Sequence, residues 1–211
     1  MIMETRPVSV ETAVEAFTKS LTALQPGKQS SDRKALAELR GILHDQPRDF
    51  LRAGKYVFGY LPDIDNLPQE ERDYIETCFF TIGGLYAWGY RSISSKPGVS
   101  LGAALRGLRN PDTTNDSMDN RFLALLNSQS DTFFVQLRQM VALLASSNKN
   151  DVPIQLDWSL LLKDAIKWNQ GDKHIQKRWA KHYYTFLPRE SKETEIEASE
   201  AEALESDESS E

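Results

Sequence analysis

The sequence predicts an all-α protein, a two-part bundle of about eight helices followed by a disordered acidic C-terminal tail. Three observations carry this. Upstream of residue 190 the apolar residues recur at intervals of three and four rather than two, the spacing of one face of a helix. Several of these runs open on Ser, Asp or Pro and close on Gly or Pro, the residues that helix ends favour. From Glu190 to Glu211 the composition changes: ten acidic residues stand against Lys192 alone, and Ile196 and Leu204 are the only large apolar side chains. Such a segment buries too little apolar surface to offset the entropy of ordering it.

The first helix is expected from about Ser9 to Leu24, burying Val10, Val14, Phe17, Leu21 and Leu24, with Pro26 and Gly27 preventing continuation. A second starts near Asp32, where Ser31 or Asp32 can accept free amides, and turns Leu36, Leu39, Ile42 and Leu43 inward. Pro47 suits the first turn of a third helix running to about Tyr60. Pro68, followed by Glu70 and Glu71, opens a fourth in the same way. This fourth helix carries Tyr74, Ile75, Cys78, Phe79, Ile82, Leu85, Tyr86 and Trp88 on more than one face, as a central bundle helix does. The stretch Ser94 to Gly98, SSKPG, reads as the boundary between the parts, giving subdomains of residues 1–96 and 97–189 with the tail at 190–211.

The second part opens with a short helix capped by Ser100, then a polar loop from Asn110 to Ser117 and a helix around Arg121 to Asn127. Asp131 is expected to cap the next, with Phe133, Phe134, Leu137, Val141 and Leu144 facing inward and Arg138 at the edge of that stripe. Asp157 caps another through Trp158, Leu161, Leu162, Ala165 and Trp168 to Gly171. Asp172 caps the last, where Ile175, Trp179, Tyr183 and Phe186 lie about four apart.

Composition excludes several function classes. The single cysteine, Cys78, allows no intrachain disulfide and lies in an apolar stretch, where it suits a small buried hydrophobe in a reducing cytoplasm. The N-terminus lacks the pattern of a signal peptide, and the apolar run from Cys78 to Tyr90 is too short to span a bilayer, so a cytoplasmic chain with no membrane partner is expected. Gly27 and Lys28 lack the glycine that a phosphate-binding P-loop needs five positions earlier. Asp63 and Asp65 begin like a calcium loop, but Pro68 stands where the sharp turn needs glycine. His44, His174 and His182 with one cysteine supply no structural zinc set. No carboxylate pair sits in an apolar context suited to general acid work. No catalytic residue, cofactor or metal is therefore expected.

The charges are uneven. The formal net charge is −6, and the last 22 residues hold −9 of it, which leaves residues 1–189 at +3. In that basic body, positive residues recur at helical spacing beside the apolar stripes. Arg33 and Arg40, with Lys34 alongside, project from one side of the second helix. Arg106 pairs with Arg109, and Lys173, Lys177 and Lys181 form a row on the last helix flanked by Arg178. Such clusters serve as solvated faces in many helical proteins, and in a basic body they can also clamp phosphates without sequence preference. The residues alone leave nucleic-acid binding and protein adaptor as open alternatives.

Five segments in order, SLGAALRGL (Ser100 to Leu108), NRFLALL (Asn120 to Leu126), VQLRQMVALL (Val135 to Leu144), LDWSLLLKDAIKW (Leu156 to Trp168) and IQKRWAKHYY (Ile175 to Tyr184), resemble the CasB family, the small subunit of the CRISPR type I-E Cascade complex. The resemblance covers roughly Ser31 to Leu187 and is strong after Ser100. Leu39-Arg40 is similar to the family's N-terminal leucine-arginine element, although Gly41 stands where a second basic residue is common, and Gln139 follows Arg138 where a second arginine is frequent. The resemblance implies two helical subdomains, no catalysis, and a dimer along a guide-RNA complex of backbone and large subunits. It also implies a role in holding the displaced non-target DNA strand while the guide pairs with the target strand. The basic function carries over to Arg121 and Arg138 inside matched motifs, and to Arg40, Arg106 and Arg109. A structural adaptor that bridges acidic subunits is the alternative.

Overall fold

Helix α1 (Val10–Ala23) starts where the Ser9 hydroxyl oxygen accepts the Thr12 amide at 3.2 Å, and its inward stripe of Val14, Phe17 and Leu21 is buried. The structure, a computed structural model, describes residues 9–24, 29–44, 47–109, 116–147 and 153–185. Phe186, most of the polar loop expected from Asn110 and the whole acidic tail lie outside the described residues.

Helix α2 (Ser30–Gly41) begins upstream of both expected caps. Gln29 occupies the cap position with no side-chain bond to the helix amides, and the Ser31 hydroxyl turns to the Gln29 and Asp32 side chains. After one 3₁₀ turn at Ile42–His44 comes α3 (Pro47–Val57), which tightens into a 3₁₀ turn at Phe58–Tyr60. Helix α4 (Gln69–Gly89) is the central helix, with twelve buried residues that include Cys78, whose thiol burial pushes up and keeps protonated. A Cβ on Gly84 would stand 3.2 Å from the Leu39 carbonyl oxygen, so the bare backbone there lets α2 lie close against α4. Trp88 departs from expectation at 38% exposure. The last turn of α4 packs through Gly89 on Ile93 and Trp158, which leaves Trp88 at the rim.

The segment read as a boundary is in part a strand. β1 (Ile93–Ser95) pairs in parallel with β2 (Ile154–Leu156), Ile93 opposite Ile154 and Ser95 opposite Leu156. Asp157 ties the two ends together. One carboxylate oxygen accepts the Gly98 amide at 2.7 Å and the other accepts the Leu160 amide at 2.9 Å, capping α8 (Trp158–Ile166). Gly98 has a φ of 80°, which a side chain would strain. Helix α8 is shorter than expected, since turns replace it before Gly171.

Three helices lie between the strands: α5 (Leu101–Arg106), α6 (Asp116–Leu126) and α7 (Ser130–Ser146). Helix α7 starts at the residue before Asp131, so Gln129 and not Asp131 holds the cap position. The last, α9 (His174–Tyr184), follows Lys173 in the left-handed region at φ 52°, and Asp172 accepts the His174 amide at 3.2 Å from one position further out than a cap. The described fold is all-α apart from the two short strands. Buried side chains from both sides of Ser94–Gly98 join in one cluster, in which Trp168 stacks on Phe133 at 4.4 Å and meets Trp179 at 5.0 Å.

The Ser100 hydroxyl oxygen accepts the Ala103 amide at 3.3 Å and lies 2.7 Å from His182 Nδ1, so one side chain caps α5 and ties it to α9. Ser100→Ala is expected to lose about 1 kcal/mol from the cap, read as a lower urea midpoint at unchanged slope.

Candidate nucleic-acid interface

The basic side chains singled out by spacing fall into two kinds, those whose guanidinium is tied to the protein and those left to solvent. Arg40, at the C-terminal end of α2, donates from Nε and Nη2 to the Ala87 carbonyl at 3.2 and 3.0 Å. Arg138 on α7 donates to the Leu43 carbonyl at 2.8 Å, three residues beyond Arg40. The two therefore converge where α2 ends against α4 and α7. Carbonyls at a helix C-terminus lack helical partners and carry partial negative charge, which explains why both cations settle there. Each is exposed, and a guanidinium has five donors, so both retain donors for an outside anion.

A second group gathers where α5, α6 and α9 meet. Arg106 donates to the Thr185 carbonyl at 3.2 Å. Arg109 reaches Asp119 at 3.2 Å and lies over the Tyr183 and Tyr184 rings at 4.9 and 5.5 Å, with 19% of its side chain exposed. Tyr183 donates to the other Asp119 oxygen at 2.5 Å. Arg109 is thus a brace inside a carboxylate–tyrosine network, and Arg106 stands at its edge. Arg121, on α6 beyond Asp119, is exposed and makes no ion pair among the described residues.

Lys173, Lys177 and Lys181 follow one another along α9 at intervals of four, all exposed and in no ion pair among the described residues, although Asp172 lies close enough for Lys177 to help hold its carboxyl below the usual carboxylate range after its bonds to His174. Arg178, beside this row, turns inward to Asp164. His182, which meets Ser100 on the α5 side of the helix, has its ring held below the usual imidazole range first by burial and then by Arg178, Arg106 and Lys181, against the opposing pull of Asp164.

Asp164 is a single buried carboxylate that the search for carboxylate pairs did not single out. It is 2% exposed, burial pushes its carboxyl up, and Arg178 and Trp179 oppose that shift. Trp179 Nε1 donates to one oxygen at 2.6 Å and Arg178 bonds the other, so the group is a satisfied structural hub between α8 and α9. The signal was in the sequence, since Asp164 lies three residues after Leu161 and four before Trp168 and so belongs to the buried stripe. Asp119 carried no such signal, because its partners are ten and 64 residues away.

Among the described residues no cluster of three or more His, Cys, Asp or Glu could hold a metal ion, and no helix is long and apolar enough to cross a membrane.

Residues 35–184 match the family described as CRISPR-associated protein Cse2. A CRISPR-associated protein Cse2 from Thermus thermophilus is 32% identical over 185 residues, 87% of this chain and 98% of the relative. The crystal structure of CasB from Thermus thermophilus superposes with a TM-score of 0.62 over 81% of this chain and 97% of that one, at 32% identity. A chain of a CRISPR RNA-guided surveillance complex gives a TM-score of 0.61 over 83% of this chain and 94% of its own at 20% identity, a likeness of fold. The segments from SLGAALRGL to IQKRWAKHYY all lie within the matched span, and the chain belongs to the Cse2 family of CRISPR-associated proteins, also called CasB.

Proposed function

We propose that the chain is the non-catalytic small subunit of a type I-E CRISPR RNA-guided surveillance complex, in which it holds nucleic-acid backbone without sequence preference and stabilises the displaced non-target strand. Its partners in this reading are the backbone and large subunits, the guide RNA, both DNA strands and a second copy of itself. The observation that carries the reading is the set of exposed cations that form no ion pair among the described residues, Arg121, Lys173, Lys177 and Lys181, on a body of net +3. Cations that are not neutralised within their own fold are available to phosphates, and release of counterions supplies affinity at any sequence. Arg40 and Arg138 add donors at the end of α2, while Arg106 and Arg109 chiefly position the α5–α9 junction.

The inward bonds of Arg40, Arg106, Arg109 and Arg138 favour a second reading, a structural adaptor that bridges protein subunits. Assembled complex separates the two. Arg121→Glu is expected to leave folding unchanged, because an exposed, unpaired arginine adds little stability, and to lower retention of the displaced strand. Arg138→Glu should lower retention and also cost about 1 kcal/mol of stability through its lost bond to Leu43. If Arg121→Glu alters assembly and leaves strand retention at the wild-type level, the adaptor reading replaces the first.

A further inference from the structure

Three of the four indoles, Trp158, Trp168 and Trp179, are buried, and each meets another aromatic ring. Trp88, in the last turn of α4, is exposed, and among the described residues it meets no ring and its Nε1 makes no hydrogen bond. A large ring left in water forgoes the apolar burial that its side chain could supply. The residue one turn earlier fixes where the ring stands: a Cβ on Gly84 would lie 3.1 Å from the Leu43 side chain and 3.2 Å from the Leu39 carbonyl oxygen. Residues four apart share a helix face, so Trp88 stands on the side of α4 that the end of α2 and its 3₁₀ turn cover.

Three arginines gather at this corner. The carbonyl that Arg40 bonds belongs to the peptide unit joining Ala87 to Trp88, so the guanidinium lies beside the Trp88 backbone. Arg138 bonds the carbonyl of Leu43, the residue against which Gly84 packs. Arg91, three residues after Trp88, donates from Nε to the Tyr90 hydroxyl at 2.8 Å and lies 5.6 Å from the centre of that ring. All three are exposed, and among the described residues their partners are carbonyl and hydroxyl oxygens rather than carboxylates.

We propose that Trp88 is a stacking platform for one unpaired base of a single strand, whose flanking phosphates are held by Arg40, Arg91 and Arg138. The site deepens the function proposed above and rests on it. A base and its phosphate are joined through one sugar, so a base lying on the indole leaves its phosphates to the surrounding guanidinium groups. Every base has a π-face, so stacking adds affinity at any sequence. It also adds what phosphate contacts lack, a preference for unpaired over paired strands, because a base in a duplex must first be unstacked. An apolar side chain of a neighbouring subunit is the other occupant such a ring could take, and three charges without carboxylate partners favour the polyanion.

The test compares binding of the full-length chain to two strands of equal length, one of thymine nucleotides and one with an abasic site at every position. At low salt wild type should bind the thymine strand about tenfold tighter, the lower part of what stacking one base contributes. Trp88→Ala should lose that tenfold, bind the abasic strand as wild type does, and keep the wild-type salt slope, since no phosphate contact is removed. Trp88→Phe, which keeps a ring, should stay within about threefold of wild type on the thymine strand. Because the other indoles are buried, the thymine strand should quench tryptophan emission in wild type and leave it unchanged in Trp88→Phe. The comparison of strands uses wild type alone, so it decides the matter even if Trp88→Ala fails to fold. Salt-dependent binding with equal affinity for both strands overturns the stacking and leaves the phosphate-holding function standing. No binding of either strand by wild type overturns both. Impaired assembly with partner subunits in Trp88→Ala, at unchanged strand affinity, assigns the ring to a protein contact and overturns the site.

Discussion

Gly102→Ala should lower stability by about 3 kcal/mol, the upper part of the range for overpacking a closed contact. A Cβ at this position would stand 2.2 Å from the Trp179 carbonyl oxygen and 2.9 Å from its carbonyl carbon. These are backbone atoms, fixed within α9 and unable to rotate aside, so α5 and α9 must separate. For a chain of this size the melting temperature is expected to fall by about 6–12 °C. Gly171→Ala is the internal control, since a Cβ there meets nothing within 4 Å, and it should melt within about 2 °C of wild type. Equal melting of the two variants would mean that α5 and α9 do not approach as described.

Trp179→Ala should be as damaging, at about 3–5 kcal/mol. The indole is fully buried, lies 5.0 Å from Trp168, and donates to Asp164. Truncation therefore opens a cavity and strips a buried carboxylate of one of its two side-chain donors. Trp179→Phe separates these effects: it refills most of the space but leaves Asp164 with Arg178 alone, for an expected loss of about 1–3 kcal/mol. Trp158→Ala, also fully buried, is expected to lose about 3–5 kcal/mol. Denaturant unfolding gives these values directly, and wild-type midpoints in both alanine variants would invert the assignment of core and surface.

Much of this architecture is legible in the sequence because its causes are local. Ser9, Ser100 and Asp157 cap the helices that their spacing announces, and Val14, Phe17 and Leu21 are buried as a stripe of threes and fours requires. What the sequence does not show lies where the cause is distant. Three-residue strands are too short to show an alternation, and β1 finds its partner 61 residues on, so nothing local marks Ile93–Ser95 as a strand. The need for glycine at 102 likewise has a distant cause, the α9 backbone that the fold places beside it. The basic positions follow the same rule. Spacing puts Arg40, Arg106, Arg109 and Arg138 beside apolar stripes, but only the fold reveals that a carbonyl or carboxylate waits for each. The α9 lysines keep the exposure their spacing implies and form no ion pair among the described residues.

The most direct test of the central claim, that these unpaired cations hold nucleic-acid backbone, is the salt dependence of single-strand binding by the full-length chain. The logarithm of the association constant should fall linearly with the logarithm of salt concentration. Replacing Lys173, Lys177 and Lys181 by Gln should make that slope shallower by about 2, since each phosphate contact on a single strand contributes about 0.7. A slope that is the same in the triple variant and wild type, or binding indifferent to salt, would contradict the account.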